Sequence, residues 1–160
     1  MTEQPVRLSR ASGAGGAAEP RPEPEREARQ ATLYDLVGGT AFFFRLVDRF
    51  YEGVESDPPL RAIYPDDLAP GKEHLALFLQ QYWGGPGTYS AERGHPRLRM
   101  RHVEFRIDQR QRDAWLAHML EAVDAVVADA ALEPEVDQAA REAFAQYFDH
   151  AATFLINAPG

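Results

Sequence analysis

The chain has 160 residues, 44% hydrophobic and 11% aromatic, enough to build the core of one globular domain. It has no cysteine, which excludes disulfides, cysteine-bound zinc and thiolate-bound iron. A formal charge of −8 argues against nucleic acid as the main partner, and no apolar run approaches the roughly 20 residues that span a bilayer, so no membrane partner is expected.

Residues 1–30 read as a disordered tail. Ala-Ser-Gly-Ala-Gly-Gly-Ala-Ala and Glu-Pro-Arg-Pro-Glu-Pro-Glu-Arg-Glu offer little apolar surface to offset the entropy of ordering, and five Arg cancel five Glu. The lack of an apolar signal core makes the cytoplasm the expected location. From residue 31 the pattern is helical. Thr32 is a cap for a short helix that ends at Gly38 or Gly39. A second helix is predicted from about Ala41 to Ser56, with Phe43, Val47, Phe50, Tyr51 and Val54 on one buried face. Asp57-Pro58-Pro59 stops it, Leu60 to Tyr64 forms a further turn, and Asp66 to Pro70 is a loop. A third helix covers Gly71 to Tyr82, with Leu75, Phe78, Leu79 and Tyr82 to one side, before Trp83-Gly-Gly-Pro-Gly87 breaks the chain.

Next comes Gly94-His-Pro-Arg-Leu-Arg-Met-Arg-His-Val-Glu-Phe-Arg-Ile107. Arg93, Arg97, Arg99, Arg101 and Arg106, five of the chain's 17 basic residues, crowd this stretch. His95, between Gly94 and Pro96, belongs to a turn or a helix lead-in. Leu98, His102 and Phe105 fall at i, i+4 and i+7, which in a helix sets the imidazole on an apolar stripe among guanidinium groups. That setting suits an anionic, largely hydrophobic ligand carrying a metal, and haem has this chemistry. Asp108 then caps a long helix with Trp115, Met119, Val123 and Val126 as its stripe. Leu132-Glu133-Pro134 separates it from a last helix that repeats Val136, Ala140, Phe144, Tyr147, Phe148, Ala151 and Leu155. No run alternates long enough to form a strand, so the expected fold is all-α, with crossing helices around one core.

Six segments, in this order and spacing, make residues 32–160 resemble a group II truncated haemoglobin, a bacterial-type 2-on-2 globin. They are Tyr34-Asp-Leu-Val-Gly-Gly39, Arg49-Phe-Tyr51, Tyr64-Pro65, Gln81-Tyr-Trp-Gly-Gly-Pro86, Gly94 to His102, and Asp113-Ala-Trp115. The resemblance implies a 2-on-2 helical sandwich around haem b, with His102 as proximal ligand of a pentacoordinate iron. It implies Arg101 as a propionate partner, assisted by Arg97 or Arg99. It also implies Tyr51 and Trp115 as distal donors to the bound gas, with Tyr64 packed against the haem. Gly71 and Leu75 match distal-helix positions facing the iron, while Phe78 and Phe105 belong to the pocket. Many globins place His or Gln where Gly71 stands, so the glycine is expected to leave room for a ligand or water and to hand the donor role to Tyr51 and Trp115. A one-residue shift of the preceding loop would put Lys72 there instead. His74 is read as a surface residue or propionate neighbour, and His118 and His150 as structural.

Three function classes follow. The first, which the resemblance favours, is a haem protein binding O2 and other diatomic ligands such as NO and CO, and the resemblance extends to oxygen transport. The second is a haem enzyme for nitric-oxide dioxygenation or peroxide reduction. It would need an unidentified external reductase, since nothing in the chain resembles a flavin or nicotinamide site. The third is a haem-free interaction or nucleic-acid module built on the arginine cluster, which the presence or absence of a Soret band decides. The number of associating chains, a homodimer among the options, stays open.

Overall fold

Several helix starts among the described residues are set by short polar side chains or prolines, and two helices stop at glycines. A computed structural model describes residues 30–160; the tail reading lies on residues outside it, apart from Gln30. In α1 (Leu33–Val37) the Asp35 amide donates to Thr32 Oγ1, and the Asp35 carboxylate accepts from the Thr32 amide. Such a reciprocal cap contributes about 1 kcal/mol. Gly38 and Gly39, at φ +110° and +72°, then turn the chain through the left-handed region that side chains avoid.

Helix α2 (Thr40–Glu55) follows, then α3 (Pro58–Arg61), capped by Asp57, whose carboxylate accepts from the Leu60 amide. Helix α4 spans Ala69–Tyr82, two residues longer at its start than the sequence pattern predicts. Pro70 sits in its first turn, where a missing N–H costs nothing. Tyr82 is 53% exposed rather than part of the buried face. Two short helices, α5 (Thr88–Arg93) and α6 (Leu98–Arg101), precede the long pair α7 (Gln109–Asp129) and α8 (Pro134–Phe154). Asp108 and Gln111 close a capping box on α7, and Pro134 opens α8 with Glu135 and Asp137 in its first turn, where they suit the helix dipole.

Helix α2 packs on both α4 and α7, and α7 packs on α8, so the long elements form two pairs, α2 with α4 and α7 with α8. Their shared core holds Phe42, Phe43, Phe50, Met119, Phe144 and Phe148, all buried. Phe42 and Phe43 meet edge-on at 5.3 Å, and Phe42 stacks on Phe144 at 5.8 Å. All regular structure among the described residues is helical, and no helix there is long and apolar enough to cross a membrane.

The expected stripe through His102 is corrected at its end. Helix α6 is a single turn, and His102 is its C-cap, at φ −102° and ψ 2°. Phe105 lies beyond the helix, its ring 6.4 Å from the imidazole.

Candidate functional site

A large cavity, of about 690 Å³, opens between α2, α3 and the segment after it, α4, α5, α6, α7 and α8. That volume lies in the range of small-molecule and cofactor sites. Tyr51, Tyr64, Gly71, Leu75, Phe78, Arg101, His102, Phe105 and Trp115 all line it. Residues 64 positions apart in sequence thus share one space.

His102 reaches the cavity with its tautomer fixed. Its Nδ1 lies 2.6 Å from the Leu98 carbonyl oxygen, one helical turn back, and a carbonyl can only accept. Nδ1 therefore carries the proton, and Nε2 keeps a free lone pair. Beyond α6 the chain is held by Asn157. Its Nδ2 donates to the carbonyls of His102 at 3.2 Å and Phe105 at 2.8 Å, and its Oδ1 accepts from the Ile107 amide at 2.9 Å. Nothing in the sequence marks Asn157, because an amide that satisfies a loop's backbone has no motif of its own.

A second group gathers around Tyr51, only 4% exposed. Its ring meets Tyr64 edge-on at 5.7 Å and Phe50 at 5.4 Å, while Trp115 lies against Phe50 at 5.2 Å. Burial pushes the Tyr51 hydroxyl up to about 12, so it stays protonated at neutral pH. Tyr64 is raised further, first by burial, then by the neighbouring Tyr51, with donation from Trp115 offsetting part of the rise. Among the described residues the Tyr51 hydroxyl has no hydrogen-bond partner, and Tyr51 lines the cavity.

Gly71 takes a different part from the open gate expected of it. A Cβ built there would stand 2.8 Å from Tyr51 Oη, so the hydroxyl already fills the space a side chain would use. Lys72 is not in the lining; its Nζ sits 5.6 Å from the centre of the Tyr51 ring.

The arginines divide. Arg101 lines the cavity and also ties the preceding turn, donating from Nε to the Pro96 carbonyl at 2.8 Å and from Nη2 to the Arg93 carbonyl at 3.0 Å. Neither Arg97 nor Arg99, expected to assist, is among the residues lining the cavity. Arg97 is exposed at φ 44°, and the Arg99 guanidinium lies 5.0 Å over the Phe154 ring. Arg93 takes the inward place. Its Nη1 is 2.8 Å from His74 Nε2, and its buried Nε has no partner. The sequence counts Arg93 in the basic cluster but does not signal α5, the turn that aims it. His74 also lines the cavity, its pKa lowered by burial and then by the charge of Arg93. His118 bonds Asp57 at 2.8 Å, a tie between α7 and the start of α3, and His150 is exposed.

The bacterial-like globin family matches residues 32–153. Group 2 truncated hemoglobin YjbI of Bacillus subtilis is 47% identical over 93 residues, 58% of this chain and 70% of that protein. The hemoglobin of Chloroflexus aurantiacus superposes with a TM-score of 0.72 at 52% identity, covering 81% of this chain and 100% of its own. The group II truncated hemoglobin of Bacillus anthracis gives 0.72 at 35% identity over 82% of this chain and 95% of its own. With its two helix pairs and the single large cavity described between them, the chain belongs to the bacterial-like globins, as a group II truncated haemoglobin of 2-on-2 fold, a family of haem proteins that bind diatomic gases.

Proposed function

We propose that the cavity holds haem b, with His102 as the iron's protein ligand, and that the protein binds a diatomic gas, O2 foremost, beside Tyr51, Trp115 and Tyr64. The observation that carries this reading is the imidazole of His102: its Nδ1 proton is committed to Leu98, which leaves Nε2 as a lone-pair donor facing a cavity of about 690 Å³. The lining suits a flat, apolar macrocycle through Leu75, Phe78 and Phe105, and its acidic groups through Arg93 and Arg101. Arg93 Nε is buried without a partner, and Arg101 Nη1 makes no hydrogen bond among the described residues. A chain without cysteine has no thiol to attach a haem covalently, which favours protoporphyrin IX held by packing and charge.

When bound, the iron supplies a coordination position for dioxygen, nitric oxide or carbon monoxide. The chain's part is to exclude water and to donate. Tyr51, kept protonated by burial, has a hydroxyl with no competing acceptor, so its hydrogen bond is available to a polar gas. Tyr64 packs edge-on against the Tyr51 ring, and Trp115, against Phe50, lines the same cavity. One such bond is worth about 1–3 kcal/mol when formed only with the gas present, a factor of roughly 5–150 in release.

Replacement of the ligand tests the reading. His102→Ala is expected to abolish the Soret band of purified protein, while His95→Ala, whose ring only accepts the Arg97 amide in a surface turn, keeps it. The opposite pattern overturns the assignment.

A further inference from the structure

Charge is strongly segregated in this chain. Residues 93–110 hold six arginines against Glu104 and Asp108, a net of +4 in a protein of −8, so the rest of the chain carries −12. The excess is not internally neutralised. Arg97 and Arg99 form no ion pair among the described residues, and Arg106 only approaches Asp108 at 3.9 Å. Elsewhere Arg49, Arg112 and Arg141 are paired and Arg61 is tied to backbone carbonyls, while Arg45 stands alone on α2 with no second basic residue beside it in sequence.

The same stretch exposes apolar surface. Met100 is 58% exposed and Val103 71%, and Phe154, under the Arg99 guanidinium, is 49% exposed. Isolated exposed apolar residues are ordinary, but three beside unpaired arginines have the anatomy of a recognition patch, a small apolar centre with a charged rim in which Met and Arg are favoured. Met100 and Val103 flank His102 in sequence, so a partner seated there contacts the turn that carries the cavity's lone-pair imidazole.

We propose that this face, centred on Met100 and Val103 and rimmed by Arg97, Arg99 and Arg106, is the docking surface for a small acidic electron-transfer protein. The partner's chemistry follows from two features. Its contact surface must be acidic to complement the unpaired guanidinium groups of Arg97 and Arg99, and the net repulsion between two acidic proteins limits docking to this one face. It must carry a one-electron centre because nothing in the sequence resembles a flavin or nicotinamide site, and a bound iron that oxidises needs one electron from outside to return to the ferrous state. This clause rests on the haem reading. The apolar centre is small, which suits the weak, short-lived encounters of redox partners.

The test titrates holoprotein with an acidic [2Fe–2S] ferredoxin and, separately, with an acidic flavodoxin, followed by calorimetry and by shifts of backbone amide resonances. At least one is expected to bind, with amide shifts centred on residues 97–106 and affinity falling on the order of tenfold as salt rises from low to moderate ionic strength. Arg99→Glu with Arg106→Glu should weaken binding at least tenfold, whereas Arg45→Glu, the same charge change per site on α2, should change it less than about twofold. Met100→Ser with Val103→Ser should weaken binding without altering its salt dependence. The Soret band of each variant separates the two readings. A protein that holds haem but binds neither probe, or binds both reversed and native surfaces equally, overturns the docking proposal alone. Concentration-dependent dimers abolished by the same Arg-to-Glu pair would assign the face to a second copy and overturn it too. A wild-type chain that takes up no haem overturns the haem reading, and the docking proposal with it.

Discussion

A methyl group on Gly71 would stand 2.8 Å from Tyr51 Oη and 3.8 Å from Cζ, so the glycine on α4 and the hydroxyl on α2 are shaped to each other. Gly71→Ala must displace the hydroxyl or shift the helices, and overpacking of this kind costs about 1–3 kcal/mol. Tyr51→Phe removes only the oxygen and leaves the ring against Tyr64 and Phe50. In the haem-bound protein Tyr51→Phe is expected to speed oxygen release by roughly 5–150-fold, and carbon monoxide, which carries less charge, should respond less. Gly71→Ala should act in the same direction while also lowering the melting temperature. Because both changes act on one oxygen atom, a double-mutant cycle on stability should show that Gly71→Ala costs less in the Tyr51→Phe background. Additive costs would mean that the hydroxyl is not what the glycine accommodates.

Helix α6 is one turn long and has no buried residue, so its position depends on what holds its ends. Arg101 ties its start to the carbonyls of residues 93 and 96, and Asn157 ties its end through three hydrogen bonds. Asn157→Ala is expected to lower stability by about 1 kcal/mol, since these bonds are partly exposed. It should also accelerate haem transfer to apomyoglobin, and an unchanged transfer rate would remove Asn157 from the support of His102. These short elements mark the limit of what the sequence displays. Helices α2, α7 and α8 are long enough for their apolar period to appear, and Thr32 and Asp108 openly state the caps of α1 and α7. Helix α5 buries only Tyr89 and leaves no period to read. The spacing from Leu98 to His102 carried the right information for a different reason than a stripe. Four residues is the distance that lets Nδ1 reach back to the Leu98 carbonyl, even though the helix ends one residue earlier.

At the scale of the whole molecule, residues from Tyr51 to Leu155 close on one cavity, and no local pattern could announce which of them face inward. Arg93 and Arg97 are both exposed arginines by composition, and only the geometry of α5 and α6 sends one to the cavity and the other to the surface. The titrating groups at the joints between elements give the fold a pH dependence that can be assigned. His74 on α4 has a folded-state pKa below its ordinary value near 6.5, first because it is desolvated and then because Arg93 and Arg101 repel its charged form. Between that lowered value and pH 6.5 the unfolded chain binds more protons than the folded one, so stability falls as the pH drops through this window. Asp57 behaves in the opposite sense. Its carboxyl is held below 3.8, chiefly by the hydrogen bond from His118, so its contribution is intact above that pH and is lost as the pH falls further. Urea unfolding of the haem-free protein from pH 7 to pH 3 should therefore show two separable losses. His74→Gln is expected to flatten the first, just below pH 6.5, and to leave the second. Asp57→Asn should lower stability at neutral pH and reduce the loss below about pH 4, with the slope above pH 5 unchanged. If His74→Gln leaves the slope just below pH 6.5 as steep as in the wild type, neither burial nor the Arg93 charge at His74 is what sets that slope.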